Sequence, residues 1–165
     1  LTTTPEDFAR KLVSAIRAGG MERRAAIQSF DWRTLQIVQK EAPEIPTVCL
    51  TVEKGFMDSI QRDSTSSPWT AGFHVSRYGG SIPRMVKAAG GAVWSPYHAE
   101  TTRSQVKEAQ SLGLKVVVWT VNDPADMRRL IEWSVDGIIS DRPDLLRKTA
   151  GEMGIALPRP TPVSP

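Results

Sequence analysis

The chain has 165 residues, 40% of them hydrophobic and 24% charged, which is the composition of one soluble globular domain and excludes a fibre or a disordered polymer. Its net charge is +3, and the 21 Lys and Arg are scattered through helical stretches with no basic block, so nucleic acid is not an expected partner. The longest apolar runs, such as Lys115-Val-Val-Val-Trp-Thr-Val121, fall far short of the roughly 20 residues that a membrane span needs, so no transmembrane segment is expected. Cys49 is the single cysteine, which excludes an internal disulfide and a thiolate metal cluster and leaves the redox compartment and the localisation open.

The chain opens on a helix start. Thr4 is placed to cap, Pro5 suits the first helical position, Glu6 and Asp7 fall in the first turn, and Phe8, Leu12, Ala15 and Ile16 form an apolar stripe that Gly19-Gly20 ends. A short β-like run, Arg24-Ala-Ala-Ile-Gln-Ser-Phe30, leads to Asp31 as a cap and a helix carrying Trp32, Leu35, Ile37 and Val38. Pro43 to Pro46 breaks that helix. Thr47-Val-Cys-Leu-Thr-Val52 then has the β-branched, apolar character of a buried strand.

From Glu53 to Gly80 the periodicity lapses, and residues 53–80 read as a long connecting excursion and a candidate lid. Ser81 caps a helix over Ile82 to Ala89, followed by Gly90-Gly91, the strand Ala92-Val-Trp94 and the turn Ser95-Pro96-Tyr97. A helix from about Thr101 to Leu112 precedes the strand Lys115 to Thr120. Asp123-Pro124 opens another helix, Gly137-Ile-Ile-Ser140 forms the last strand, and a final helix starts at Pro143. The pattern predicts one barrel-type domain over residues 1–150, with residues 151–165 a terminal helix end and a proline-rich tail, Leu157 to Pro165, extended or disordered.

Strand and helix alternate five times, and the strands look apolar on both faces, which calls for a parallel sheet covered by helices. No phosphate-binding glycine pattern follows any strand, which weakens the nucleotide-binding open sheets. A complete (β/α)₈ barrel takes roughly 250 residues, so this chain has room for about five-eighths of one.

In a barrel the chemistry sits at the C-terminal ends of the strands. The groups there include Phe30, Asp31, Glu53, Tyr97, Trp119, Asn122, Asp141 and Arg142. His74 and His98 lie in loops with no carboxylate partner at a motif spacing, and surface or loop roles explain them better than catalysis. Asp31 and Asp123 each precede a helix, and capping explains them with less machinery than metal ligation. Asp141, ahead of Arg142-Pro143, fits either phosphate handling or a plain turn, and Glu53 either the site or a solvated loop. Trp119 and Phe30 read either as core aromatics or as apolar walls for a glycerol-bearing ligand.

Val118-Trp-Thr-Val-Asn122 followed by Asp136-Gly-Ile-Ile-Ser-Asp-Arg-Pro143 resembles the C-terminal signature of the glycerophosphodiester phosphodiesterase family. Ile27-Gln-Ser-Phe30 with Leu35 is similar to that family's fourth strand, and Val93-Trp-Ser-Pro96 to its sixth. The resemblance implies an α/β TIM (β/α)₈ barrel of which this chain supplies the last five βα units. It implies hydrolysis of glycerophosphodiesters to glycerol 3-phosphate and an alcohol, dependent on a divalent cation, calcium or magnesium. It also implies Trp119 and Phe30 as substrate-binding walls. The family's His-Arg, Glu-x-Asp, His-Asp and Glu-x-Lys motifs do not occur in these residues. No catalytic and no metal-ligating residue is therefore expected in this chain, and by itself it is expected to be inactive. The expected partners are the substrate and either a missing N-terminal barrel segment or a second copy. Two other readings stay open: a catalytically inactive partial barrel acting as a binding or assembly module, and a related sphingomyelin or lysophospholipid phosphodiesterase.

Overall fold

A computed structural model describes residues 3–54 and 57–159. Helix α1 spans Pro5–Ala18, with the Thr4 hydroxyl accepting from Asp7 N. It lies on α2, Trp32–Glu41, through buried Ala9 and Val13, and exposed pairs from Arg10 to Glu41 and Arg17 to Glu44 tie the two helices together. Five strands follow the expected alternation: β1 Ile27–Ser29, β2 Thr47–Thr51, β3 Val93–Pro96, β4 Lys115–Val118 and β5 Gly137–Ile138. Helices α3 Ile82–Ala88, α4 Arg103–Ser111, α5 Pro124–Glu132 and α6 Pro143–Glu152 connect and close them.

All four strand pairings are parallel, and the sheet order is β1-β2-β3-β4-β5, the order of the sequence. A doubly wound sheet reverses direction at a switch point so that helices cover both faces; here the order never reverses. Because βαβ crossovers are right-handed, successive connections in one direction put their helices on the same face. The burial pattern agrees. Cys49, Trp94, Val116 and Val118 share that face and are sealed under helices, whereas Leu50, Val93 and Val117 on the other are only half-buried. Burial is heavier on the helix-facing side, and the second face, which also holds buried Val48 and Ser95, is covered less completely among the described residues.

That second face is concave. Phe30, just past β1, and Trp119, just past β4, meet with ring centroids 5.5 Å apart. In a flat sheet, strands three places apart are separated by about 14 Å, at ~4.8 Å per step. The contact across that span shows the two rings leaning toward each other over the face, the arrangement that a curled sheet favours.

Several boundaries differ from the sequence reading, among them β4 and β5, which end early at Val118 and Ile138. The first strand is only Ile27–Ser29, because residues 22–26 form a turn in which Arg24 and Ala25 donate to Met21 O. Before α4 the chain makes a 3₁₀ turn at His98–Glu100, and Thr102, with Gln105 in a capping box, starts the helix. The excursion after β2 is a packed connection and no free flap. Ile60, Thr70, His74 and Val75 are buried, Trp69 O accepts from Trp32 N, and a second 3₁₀ turn, Val75–Tyr78, leads into α3. Residues 55 and 56 of it lie outside the described residues. Of the expected tail, residues 157–159 are irregular and exposed, and 160–165 lie outside the described residues. No described helix is long and apolar enough to cross a membrane.

Cys49 sits at the floor of the helix-facing side, and burial pushes its thiol up to about 12. A thiol so protonated and enclosed is inert, which makes it a core residue and no nucleophile.

Candidate functional site

The strand ends carry the concave cluster. Tyr97, paired with Trp119 in a single parallel bridge, places its ring 5.4 Å from the Trp119 ring, and Phe30 meets the same indole edge-on at 84°. The indole Nε1 of Trp119 donates to Ser95 O at 2.9 Å, which fixes the orientation of the ring over the strand ends. Ser95 is itself buried and donates to Val117 O. The Trp119 N–H and the Ser95 hydroxyl are therefore anchored to backbone, and the rings form an aromatic wall at the C-terminal edge of a parallel sheet. Sequence reasoning singled out Phe30 and Trp119, and the structure brings them into contact; it placed Tyr97 at a strand end without joining it to them. The parallel register of β3 and β4 is the signal that would have done so.

The acidic groups at the same edge are already engaged. Asp31 caps α2, accepting from Arg33 N at 3.0 Å, and pairs with the Arg33 guanidinium at 2.7 Å. Asp123 caps α5 through Ala125 N and Asp126 N. Glu53 pairs with Arg62 at 2.7 Å, which ties the excursion to the end of β2. Glu100, which the sequence reading passed over, accepts from Glu53 N and Lys54 N at 2.7 and 2.6 Å and holds the same strand end from the other side.

Asp141 is fastened into a turn. Asn122 Oδ1 accepts from Asp141 N, Asn122 Nδ2 donates to the Asp141 carboxylate at 3.0 Å, and Ser140 Oγ accepts from Arg142 N. Arg142 in turn pairs with Asp144 at 2.8 Å, a contact that raises its pKa and lowers that of Asp144. Two carboxylates therefore stand at the start of α6, where the helix dipole favours them, and Asp144 is neutralised by Arg142. The paired motifs around Asn122 and Asp141 latch β4 to β5 at the rim.

Among the described residues no three His, Cys, Asp or Glu side chains are grouped so as to hold a metal ion. The carboxylates at the strand ends are separately bound to helix caps, guanidinium groups, loop amides and the Asn122 side chain. These residues do not fit the divalent cation that the resemblance implies.

Of the two histidines, His74 is buried and structural, with Nδ1 2.8 Å from Ser76 Oγ and Nε2 3.3 Å from Gln61 O. His98 has no carboxylate at a motif spacing, but the fold brings one near it. Its Nδ1 lies 3.8 Å from Asp126 Oδ2 across 28 positions of sequence, brought there by the turn of α5 against the end of β3. Burial holds its pKa below 6.5, with Arg129 acting in the same direction and Asp126 against it. The folded chain consequently binds fewer protons at this site than the unfolded chain. The stability this confers is fully present above about pH 6.5 and is lost as pH falls through that value toward the folded-state pKa. Urea midpoints should therefore decline on acidification more steeply for the wild type than for His98→Asn; parallel declines would contradict the assignment.

A one-directional parallel sheet with its helices in the crossovers defines the class: an α/β protein of parallel βα units. The Glycerophosphoryl diester phosphodiesterase family model matches residues 4–145, and the chain belongs to that family. It is 28% identical over 136 residues to a glycerophosphodiester phosphodiesterase of Caldanaerobacter subterraneus subsp. tengcongensis, covering 82% of this chain and 46% of that protein. A crystal structure from Silicibacter pomeroyi, assigned as a glycerophosphoryl diester phosphodiesterase, superposes with a TM-score of 0.76 at 32% identity, covering 92% of this chain and 46% of that one. An Oleispira antarctica phosphodiesterase in complex with the product sn-glycerol-3-phosphate shares the fold, with a TM-score of 0.63 at 16% identity, over 89% of this chain and 50% of that one. The chain thus spans about half the length of the relatives it matches.

Proposed function

We propose that this chain forms the last five βα units of a (β/α)₈ barrel that hydrolyses glycerophosphodiesters to glycerol 3-phosphate and an alcohol. The observation that carries the reading is the contact of Phe30 with Trp119 across the concave face, at the end of the sheet where barrel active sites sit. Family membership supports the reaction class, and the unreversed parallel order of the sheet supports the barrel.

In this reading the chain contributes the apolar wall that receives the glycerol backbone, with Tyr97 packing Trp119 from behind. An aromatic face suits the C–H edges of glycerol, while the phosphate is left to groups outside the described residues. The divalent cation and the acid and base belong to those other units as well. Edges β1 and β5 are then the seams at which three further βα units close the barrel. Three units complete eight strands, whereas a second copy of five would make ten, which favours the segment over the copy.

The test is release of sn-glycerol 3-phosphate from glycerophosphocholine by the full-length product of the gene, with and without calcium or magnesium after chelation. Cation-dependent release is expected. An active protein indifferent to chelation would remove the cation from the account, and no release from any glycerophosphodiester would remove the reaction.

A further inference from the structure

His98 is unusual in the described chain: its Nδ1 is enclosed and makes no hydrogen bond. Buried polar atoms in folded proteins nearly always have a partner, so an orphan of this kind calls for an explanation. The ring as a whole keeps 13% of its side-chain surface, so protons can reach it.

Its surroundings join two layers of the structure. On one side stands α5, with the Asp126 carboxylate at 3.8 Å, beyond hydrogen-bond range but within reach of a shift of about 1 Å. Asp126 is held in place by Arg129 at 2.6 Å, and the Arg129 guanidinium rests 4.7 Å over the Trp133 ring. On the other side stands the aromatic wall. The His98 ring meets Tyr97 edge-on at 5.2 Å, Tyr97 meets Trp119 at 5.4 Å, and His98 N donates to Trp119 O at 2.9 Å. The charged groups acting on the imidazole are Asp126 and Arg129 of α5. Glu100, on the same turn, is directed to the amides of Glu53 and Lys54, and the Tyr97 ring lies edge-on to the imidazole.

We propose that His98 is a positioning residue for the ligand wall: protonated, it closes on Asp126 and carries Tyr97 and Trp119 with it, so that ligand affinity depends on pH. This rests on the reading of Trp119 as a substrate wall. With the ring neutral, Nδ1 stays unbonded and the turn keeps the geometry described above. Protonation turns Nδ1 into a charged donor facing a carboxylate, and a charge-assisted bond forms if the ring advances. Arg129 competes for the same carboxylate, so the advance of His98 also loosens the Arg129 contact with Asp126. Because the His98 amide and ring are joined to Trp119 and Tyr97, the movement is delivered to the concave face. Burial disfavours the charged form, so the change belongs to mildly acidic conditions and leaves the neutral-pH geometry intact.

Two measurements separate this inference from the enzymatic reading. In the first, the indole N–H of Trp119 is followed by nuclear magnetic resonance from about pH 7.5 to about 5, in wild type and in His98→Asn, which keeps a polar group but cannot take the charge. The wild-type resonance should titrate with the His98 ring, with a midpoint below 6.5, and should be flat in the variant. In the second, KM and kcat for glycerophosphocholine are measured over the same range in the full-length protein. Wild-type KM should change by about threefold or more relative to His98→Asn at the acid end, with kcat following other groups. An indole that ignores His98 titration, or identical KM profiles in the two proteins, overturns the proposal. A titrating indole in a protein that hydrolyses nothing leaves the coupling standing and removes the substrate.

Discussion

Replacing Trp119 with alanine in the full-length protein is expected to lower kcat/KM for glycerophosphodiesters by about 10- to 100-fold, or about 1.4 to 2.7 kcal/mol of binding lost at the transition state. The indole is the central member of the concave cluster, touched by Phe30 and Tyr97 and oriented by its bond to Ser95 O. Its removal takes away contact area on the ligand side and leaves Phe30 without its edge-on neighbour. If the wall holds glycerol equally in the ground and transition states, the loss falls on KM and kcat is spared. The fold should survive, because the Trp119 side chain stands on the half-buried face and outside the helix-covered core. Steady-state kinetics with a circular dichroism control check both halves. Unchanged kcat/KM would take Trp119 out of the site.

The largest effect on stability is expected from Val118→Asp. Val118 has no exposed surface and lies on the helix-facing side of β4, where no cation stands ready to pair a new carboxylate among the buried residues. Burying an unpaired charge costs several kcal/mol, a large part of the ~5–15 kcal/mol that holds a typical domain together. The variant should fail to give a cooperative urea transition. Val117→Asp provides the contrast, because its side chain points to the concave face and is only half-buried. In the 165-residue chain that substitution should cost far less than its neighbour. In a closed barrel the same position faces the packed interior, and its cost should rise toward that of Val118→Asp. Equal tolerance of both substitutions would mean that the two faces of β4 have been assigned wrongly.

Much of this fold was written locally. Pro at the first helical turn, Ser, Thr or Asp ahead of it and β-branched runs marked the helices and strands, and the caps at Thr4, Asp31, Ser81 and Asp123 formed where the residue types placed them. What stayed illegible depends on contacts distant in sequence. The excursion from 53 to 80 looked loose because its anchors, Ile60, Thr70, His74 and Val75, follow no regular period; they are buried by packing beside α2 and α3. His98 looked unpartnered because Asp126 reaches it from the next βα unit. Val117 and Val118 looked alike in a run of valines, and only the register of β4 with β3 and β5 separates the covered face from the concave one. The aromatic cluster was legible in part for the same reason: Phe30 and Trp119 stood out as aromatics at strand ends, but Tyr97 joined them only through the strand pairing that brings it beside Trp119.

The most direct test of the account is a crystal structure of the full-length protein with sn-glycerol 3-phosphate bound. The glycerol carbons are expected within about 4 Å of the Trp119 and Phe30 rings, with the phosphate directed away from this wall toward units outside the described residues. Glycerol 3-phosphate bound elsewhere, with the aromatic cluster covered by protein side chains, would contradict it and make Phe30, Tyr97 and Trp119 part of the core.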